Sequence, residues 1–268
     1  SNYMCLVIYT GLNVKRKSIN PTLWSASHGI TKNQQLSLFF SNSPIKKIRP
    51  FSQPDPADFV VGWGNKPNTA SANEFAVQKH LPYVRLEDGF IGYLGHPSVD
   101  KQRLSLIKDE VGIYYDGRAP SKLEQLCHAL GDKSLTPKQV SRAESLILDI
   151  TRLGISKYNH IRNALPSWLE SLSDDCILLV DQTANDQSIK SGFADASSFQ
   201  KMLASAKSAH PDKPIIIRTH PDVVISKQGG AANKKLGHFS SDDLSDNVFL
   251  LAEDCSLAEL MSKVADVY

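Results

Sequence analysis

The chain has 268 residues, a formal net charge of +2, 41% hydrophobic residues and 22% charged residues. These values predict a globular chain with room for two domains. No window contains the roughly 18 consecutive apolar residues of a membrane span, and the interspersed charges lack the concentrated basic face of a nucleic-acid binder, so we expect no nucleic-acid partner.

Apolar, β-branched runs alternate with amphipathic stretches along the chain. The predicted strands are, in chain order, MCLVIYTG, DFVVGWG, PYVRLEDG, GIYYDG, CILLVDQ and PIIIRTHP. The predicted helices between them include SKLEQLCHAL, RAESLILDI and SSFQKMLASAKSA. This alternation is typical of an α/β fold with mainly parallel sheets.

A long helix is predicted to begin near Pro137 and to carry the chain out of the first domain. Its apolar positions at helical spacing are Leu146, Ile147, Ile150 and Leu153. The polar stretch SLSDD then precedes CILLV, which is predicted to be the first strand of a second α/β unit. We therefore predict domains of residues 1–165 and 166–268.

The last predicted elements are a helix capped by Ser256 and the beginning of a strand at ADVY. A doubly wound domain ordinarily continues for several further elements after such a strand. We therefore expect the second domain to be incomplete in this chain.

The cysteines are scattered along the chain, at Cys5, Cys127, Cys176 and Cys255. They form no C-x-x-C pair and no Cys/His cluster with the spacing of a zinc site. We therefore expect neither a disulfide framework nor a bound metal. No signal-peptide pattern precedes them, which favours the reducing cytoplasm as the compartment.

Polar residues directly after the predicted strands are the first candidates for a binding site. Ligands of open α/β sheets bind in the crevice beyond the carboxyl ends of the strands. The segments that meet this condition are GWGNKP, RLEDGF, VDQTANDQS and RTHPD. GWGNKP is not a G-x-G-x-x-G motif, and the sequence has no P-loop, G-x-S-x-G or H-E-x-x-H pattern, which argues against dehydrogenases, ATPases, α/β-hydrolases and zincins.

Glu87 and Asp88 stand side by side before Gly89, which permits a turn. Because successive residues of a strand point to opposite faces, we expect one carboxylate to be held in the scaffold, for instance by Arg85. The other would project into a cleft, where a carboxylate can act as a nucleophile or base. The alternative is a turn carboxylate that caps a following helix.

Two segments of the second predicted domain leave alternatives open. In RTHPD, Pro221 restrains His220 to an extended conformation, and this histidine can donate a hydrogen bond to a phosphate; a solvated His-Pro turn is equally compatible. In VDQTANDQS, the polar residues are as typical of a ligand loop as of a capped connection. They are Asp181, Gln182, Thr183 and Asp186.

Taken in order, six segments resemble the capsule polysaccharide biosynthesis protein family, and within it the β-Kdo transferases of bacterial capsule assembly, where Kdo is 3-deoxy-D-manno-oct-2-ulosonic acid. The segments are VGWGNKP, LPYVRLEDGFIGYLG, LSLIKDEVGIYYDGRAPSKLE, ISKYN, LLVDQTANDQSIKSG and IIIRTHPDV. The chain departs from the family in HPSVDKQRL, where the family usually has a shorter connection. The resemblance implies a GT-B-like fold of two Rossmann-type domains, with acceptor-side residues 1–165 and nucleotide-binding residues 166–268.

The resemblance also implies the chemistry of the site. Asp88 would attack the anomeric carbon, Glu87 would support it, and His220 would contact the CMP phosphate. The other residues expected to bind substrate are Arg85, Gly89, Lys157, Tyr158, Asn159, Gln182, Asp186, Arg218 and Pro221. CMP-Kdo would be the donor, and neither a cofactor nor a divalent cation is expected, because CMP-sugars are already activated and no D-x-D motif is present.

The family further implies partners and a location. The acceptor would be a phosphatidylglycerol-type lipid carrying Kdo, and the capsule assembly and export machinery would use the product. The protein would then be cytoplasmic, with peripheral attachment to the inner membrane. The alternatives are a non-catalytic capsule export or scaffold protein and another GT-B nucleotide-sugar enzyme, such as a UDP-sugar epimerase.

Overall fold

The computed structural model describes residues 20–95, 102–131, 135–161, 163–228 and 235–268. The predicted strand MCLVIYTG, Cys5 and most of HPSVDKQRL lie outside these residues. The chain divides into two compact units. The first unit comprises Ser1–Ile147 and Ile155–Asn159, and the second comprises Leu148–Gly154 and His160–Tyr268.

The first unit contains a five-stranded sheet with the strand order β2-β1-β3-β4-β5. The strands are β1 (Leu23–Ser25), β2 (Ile45–Lys47), β3 (Phe59–Trp63), β4 (Tyr83–Asp88) and β5 (Leu106–Asp109). The first four are parallel, whereas β5 runs antiparallel to β4. The helices are α1 (His28–Lys32), α2 (Thr69–Gln78) and α3 (Lys122–Gly131), together with a 3-10 helix (Gln34–Phe40).

The central strands of the first unit are buried on both faces. Val60 packs with Trp24 and Ala76 on one side of the sheet, while Val61 packs with Leu23 and Leu86 on the other. Strands enclosed on both faces read as continuous apolar runs, which is why DFVVGWG is recognisable as a strand.

The prediction of a strand at GIYYDG is wrong, because these residues form a turn. The buried carboxylate of Asp109, at the end of β5, accepts hydrogen bonds from the backbone N–H groups of Val111, Gly112 and Lys122 at 2.8–2.9 Å. These bonds turn the chain away from the sheet and toward α3. The local carboxylate therefore outweighs the β propensity of the apolar residues.

Helix α4 (Pro137–Arg152) begins where the sequence predicts, and the change from the first unit to the second falls within it. None of its residues is buried. Leu146 and Ile147, two of the positions that identify the helix in the sequence, are 46% and 64% exposed. Across the described residues, no helix combines the length and the apolar character needed to cross a membrane.

The second unit contains a four-stranded parallel sheet with the order β8-β7-β6-β9. The strands are β6 (Cys176–Val180), β7 (Ile215–Arg218), β8 (Val248–Leu251) and β9 (Val264–Val267). The helices are α5 (Ser167–Glu170), α6 (Gln187–Ser191), α7 (Ala196–Ala209), α8 (Pro221–Gln228) and α9 (Leu257–Met261), with a 3-10 helix at Ser241–Asp243. The predicted α/β fold with mainly parallel sheets is confirmed, as are the strand at ADVY and the Ser256 cap.

Candidate active site

The carboxylate pair forms the last two residues of β4, next to the antiparallel strand β5. Gly89 follows, and its N–H donates to the carbonyl oxygen of Ser105 at 3.3 Å. A Cβ atom at Gly89 would come within 2.0 Å of Ser105 Oγ, so the glycine permits the close approach of the two chain segments. Residues 89–95 contain no helix, and the pair therefore does not cap one there.

Glu87 is the carboxylate that the scaffold holds. Its Oε1 accepts the indole N–H of Trp63 at 3.0 Å and the backbone N–H of Asp88 at 3.1 Å. Burial raises the pKa of the Glu87 carboxyl above 4.5, and the charge of Asp88 adds to this increase, while the hydrogen bonds from the Asp88 backbone and from Trp63 oppose it. Glu87 is therefore fixed in position and easier to protonate than an ordinary glutamate.

Asp88 forms an ion pair with Arg103. The sequence suggests Arg85 as the partner of the carboxylate held in the scaffold, but that carboxylate, Glu87, accepts from Trp63. Arg103 Nε lies 2.7 Å from Asp88 Oδ1, and the Tyr93 hydroxyl donates to the same oxygen at 3.3 Å. Burial, followed by the charge of Asp88, raises the pKa of Tyr93 to about 12, so its hydroxyl remains a donor at neutral pH. Arg85 instead donates from Nε to Asn65 Oδ1 at 3.2 Å.

The turn after β3 brings backbone close to Glu87. Gly64 has φ +51°, and a Cβ atom there would lie 2.2 Å from the Tyr115 hydroxyl oxygen and 3.1 Å from Glu87 Oε2. Tyr115 accepts the N–H of Asn65 at 2.9 Å, and the Asn65 side chain donates to Asp116 at 2.6 Å. Gly64 of GWGNKP thus permits a close backbone approach, and Tyr115 and Asp116 of GIYYDG hold the segment in place.

A cavity of about 350 Å³ opens beside the carboxylate pair, within the first unit. Its polar lining consists of Ser27, Asn33, Lys66, Asn68, Asp88 and Arg103. Asp88 thus borders a cavity whose hydroxyl, amide and cationic groups can bind a polyhydroxylated, anionic molecule. Arg103, Trp63 and Lys66 were missed in the sequence because none of them belongs to a local motif with Asp88, and Tyr93, five residues after Asp88, was not singled out within its segment.

The SKYN segment contacts the same region of the first unit. Asn159 accepts the Ser156 N–H at 2.8 Å and donates to the carbonyl oxygen of Tyr93 at 3.4 Å. The Lys157 ammonium lies 5.9 Å from the centre of the Tyr158 ring. A hydrogen bond therefore joins Asn159 to the chain that follows the carboxylate pair.

The remaining predicted residues belong to the second unit. Asp186 caps α6 by accepting the Ser188 N–H at 2.8 Å, and Gln182 accepts the Ser188 hydroxyl at 3.4 Å. The connection is therefore capped, as one of the two alternatives predicts. Its role as a ligand loop stays a prediction.

His220 lies at the start of α8, and Pro221 is the first residue of that helix. Proline is favoured there because the first helical N–H has no partner within the helix. His220 Nδ1 accepts the backbone N–H of Asp222 at 3.1 Å, so the proton of the neutral imidazole resides on Nε2. The ring is thereby oriented as a donor through Nε2. Arg218, at the end of β7, is half-buried.

Asp181 has a structural role that the sequence did not reveal. Its side chain is 1% exposed and accepts the backbone N–H of His238, the His238 ring nitrogen Nδ1 and the N–H of Gln182 at 2.8–3.1 Å. The His238 ring stacks on Phe199 at 3.7 Å between centroids. The carboxylate therefore joins the end of β6 to a segment 57 residues further along the chain.

The raised pKa of Glu87 predicts a pH dependence of stability. The folded state binds the Glu87 proton at a higher pH than the unfolded chain does, so the free energy of unfolding increases as the pH falls from the folded pKa toward 4.5. Glu87→Gln should remove this contribution while the amide oxygen still accepts from Trp63. Urea unfolding between about pH 4 and 7 should therefore show the wild type gaining stability relative to the variant as the pH falls. The control is Glu74→Gln on α2; equal slopes for Glu87→Gln and the wild type would contradict the prediction.

The family model described as "Capsule polysaccharide biosynthesis protein" matches residues 58–173 and 155–268. The chain is 34% identical over 266 residues to the capsule polysaccharide modification protein LipA of Neisseria meningitidis serogroup B, covering 96% of this chain and 35% of that protein. It is 28% identical to the lipopolysaccharide-processing protein LpsZ of Rhizobium meliloti, covering 88% and 54% of the two chains. It thus spans about a third of the length of LipA.

Among solved structures, the chain is similar to the β-Kdo 2,4 transferase of KpsC from Thermosulfurimonas dismutans. The TM-score is 0.78 at 30% sequence identity, and the match covers 94% of this chain and 74% of that chain. This similarity confirms the expected GT-B-like α/β architecture.

Proposed function

Because the chain belongs to the capsule polysaccharide biosynthesis protein family, we propose that it is a retaining glycosyltransferase that moves Kdo from CMP-Kdo to a lipid-linked acceptor. The observation that carries this proposal is the unequal treatment of two adjacent carboxylates. Glu87 is tied to Trp63, whereas Asp88, which Arg103 and Tyr93 hold through Oδ1, lines a cavity of about 350 Å³. A retaining transfer needs one such carboxylate at the reacting carbon.

The proposed reaction proceeds in two displacements. Asp88 attacks the anomeric carbon of Kdo, a carbon–oxygen bond forms, and the bond to the CMP phosphate breaks with loss of CMP. The acceptor hydroxyl then attacks the same carbon, the bond to Asp88 breaks, and the hydroxyl proton passes to a base. Two inversions restore the original configuration.

The second unit would hold the nucleotide. The Nε2–H of His220 can donate to a phosphate oxygen, and Arg218 can add a charge-assisted hydrogen bond. We assign Pro221, Gln182 and Asp186 to the same part of the donor site. In the first unit, we assign Arg85, Gly89 and the SKYN residues Lys157, Tyr158 and Asn159 to substrate binding, and the cavity beside Asp88 to the acceptor sugar.

The biological setting follows from the same proposal. The acceptor would be a phosphatidylglycerol-type lipid, and the product would pass to the capsule assembly and export machinery. The protein would act on the cytoplasmic face of the inner membrane. Activity would need neither a cofactor nor a divalent cation, so it should survive EDTA.

Nucleotide preference distinguishes the proposal from its alternatives. In calorimetric titrations of this chain, CMP should bind at least about ten-fold more tightly than UDP, a difference of about 1.4 kcal/mol. His220→Ala should weaken CMP binding, and the exposed His128 on α3 provides the matched control His128→Ala. A preference for UDP would favour a UDP-sugar enzyme. Binding of neither nucleotide, with no product from CMP-Kdo, would favour a non-catalytic capsule protein.

A further inference from the structure

Arg103 contacts three of the side chains around the carboxylate pair. Its guanidinium pairs with Asp88, donates to the Tyr93 hydroxyl and lies 4.5 Å from the centre of the Trp63 ring. We propose that Arg103 is a positioning residue that holds one oxygen of Asp88 and presents the other to the sugar. This inference rests on the proposed function.

The contacts to Asp88 distinguish its two oxygens. Arg103 Nε and the Tyr93 hydroxyl both donate to Oδ1, at 2.7 and 3.3 Å. Within the described residues, no hydrogen bond to Oδ2 accompanies them. The carboxylate is therefore held by one edge, and Oδ2 is the oxygen that attacks. Tyr93 and Arg103 together set the rotation of the carboxylate, which decides where Oδ2 points.

Two aromatic rings lie close to the Arg103 guanidinium. Besides its contact with Trp63, the Arg103 guanidinium carbon lies 5.3 Å from the centre of the Tyr93 ring, and the side chain is only 9% exposed. A flat guanidinium can stack on a ring while its N–H groups donate in the plane, whereas an ammonium cannot do both. Arg103→Lys therefore keeps the charge but loses the orientation.

The same contacts link the two carboxylates. Trp63 lies under Arg103 and donates its indole N–H to Glu87 at 3.0 Å. Arg103 thus contacts Asp88 directly, and it contacts the Trp63 ring, which in turn binds Glu87. One planar cation therefore fixes the relative placement of an attacking carboxylate and a supporting one.

The position of Arg103 also suits the second displacement. The first step consumes the negative charge of Asp88 in a bond to carbon, and the second step regenerates it when that bond breaks. Hydrogen bonds already directed at Oδ1 stabilise the carboxylate as it departs. Loss of Arg103 should therefore lower kcat more than it raises the KM for CMP-Kdo.

Chemical rescue tests this inference. Arg103→Ala should reduce kcat by about 100-fold with the KM for CMP-Kdo changed by less than about three-fold. Millimolar guanidinium can occupy the space above Trp63 and should raise the kcat of Arg103→Ala at least about ten-fold. Sodium chloride at equal ionic strength should not raise it. Arg103→Lys should fall between the wild type and Arg103→Ala. The matched control is Arg152→Ala, which removes an exposed arginine paired with Asp149 on α4. This variant should keep the wild-type kcat, and added guanidinium should not change it.

The results with the Arg103 and Asp88 variants distinguish failure of the positioning role from failure of the proposed function. A folded Arg103→Ala variant that guanidinium does not restore, or Arg103→Lys with full kcat, would overturn the positioning role. If Arg103→Ala does not fold, the kcat of Arg103→Lys decides alone. Asp88→Asn is assayed in parallel: if it is inactive while Arg103→Ala is fully active, only the positioning inference fails. If the wild type transfers no Kdo, or Asp88→Asn remains active, the proposed function fails and the inference with it.

Discussion

Asp88→Asn should reduce Kdo transfer by about 1,000-fold or more and leave the fold intact. Asparagine has the shape of aspartate, and its amide oxygen can still accept from Arg103 and Tyr93, which both bind Oδ1. Its amide nitrogen cannot attack the anomeric carbon. Initial rates with CMP-Kdo, together with circular dichroism and thermal unfolding of the same samples, measure the two parts of this expectation.

Glu87→Gln is the matched control for Asp88→Asn, because it changes the adjacent carboxylate in the same way. We expect it to keep activity within about ten-fold of the wild type, since the amide oxygen can still accept from Trp63. Intact-mass spectrometry after incubation with donor alone should reveal a covalent Kdo adduct on the wild type and none on Asp88→Asn. If Asp88→Asn is active and Glu87→Gln is inactive, Glu87 is the attacking carboxylate and Asp88 the supporting one.

Asp181→Ala should destabilise the second unit by about 3 kcal/mol or more. The side chain is 1% exposed, and its removal leaves the N–H groups of Gln182 and His238 without their acceptor. The loss is costly because both hydrogen bonds are partly buried and their acceptor, Asp181, is fully enclosed. Trp168, which stacks on Phe249 in the second unit, provides the fluorescence signal for urea unfolding.

Asp195→Ala is the comparison for this loss. Asp195 is an exposed aspartate that caps α7 by accepting the Ser198 N–H, and removal of such a cap costs about 1 kcal/mol. The two variants remove the same side chain from the same unit but differ in burial. Equal losses of stability would mean that the Asp181 network contributes no more than an exposed cap.

Strands β6 and β7 were predictable because burial on both faces leaves a continuous apolar run. Ile177 and Leu179 pack on one side of the sheet and Leu178 on the other, so CILLV has no polar position that would hide the pattern. Strands β1 and β2 have only three residues each, too few for any periodicity. At GIYYDG, the composition favours a strand, and the carboxylate of Asp109 decides against it.

The candidate site was predictable only where its residues are neighbours in the chain. Glu87 and Asp88 stand out because two carboxylates follow an apolar run directly. Their partners do not: Trp63 precedes Glu87 by 24 residues and Arg103 follows Asp88 by 15. These pairs arise from the parallel register with β3 and from the return of the chain along β5, neither of which leaves a local pattern.

The antiparallel pairing of β4 with β5 allows the length of the chain between these two strands to vary. Asp88 and Leu106 are partners in the register, so the chain leaves the sheet and re-enters it at the same end. Residues can be gained or lost between them without shifting either strand, and each doubling of such a loop costs only about 0.6 kcal/mol of closure entropy. The length of the chain between these two strands can therefore vary while the sheet that carries Asp88 stays unchanged.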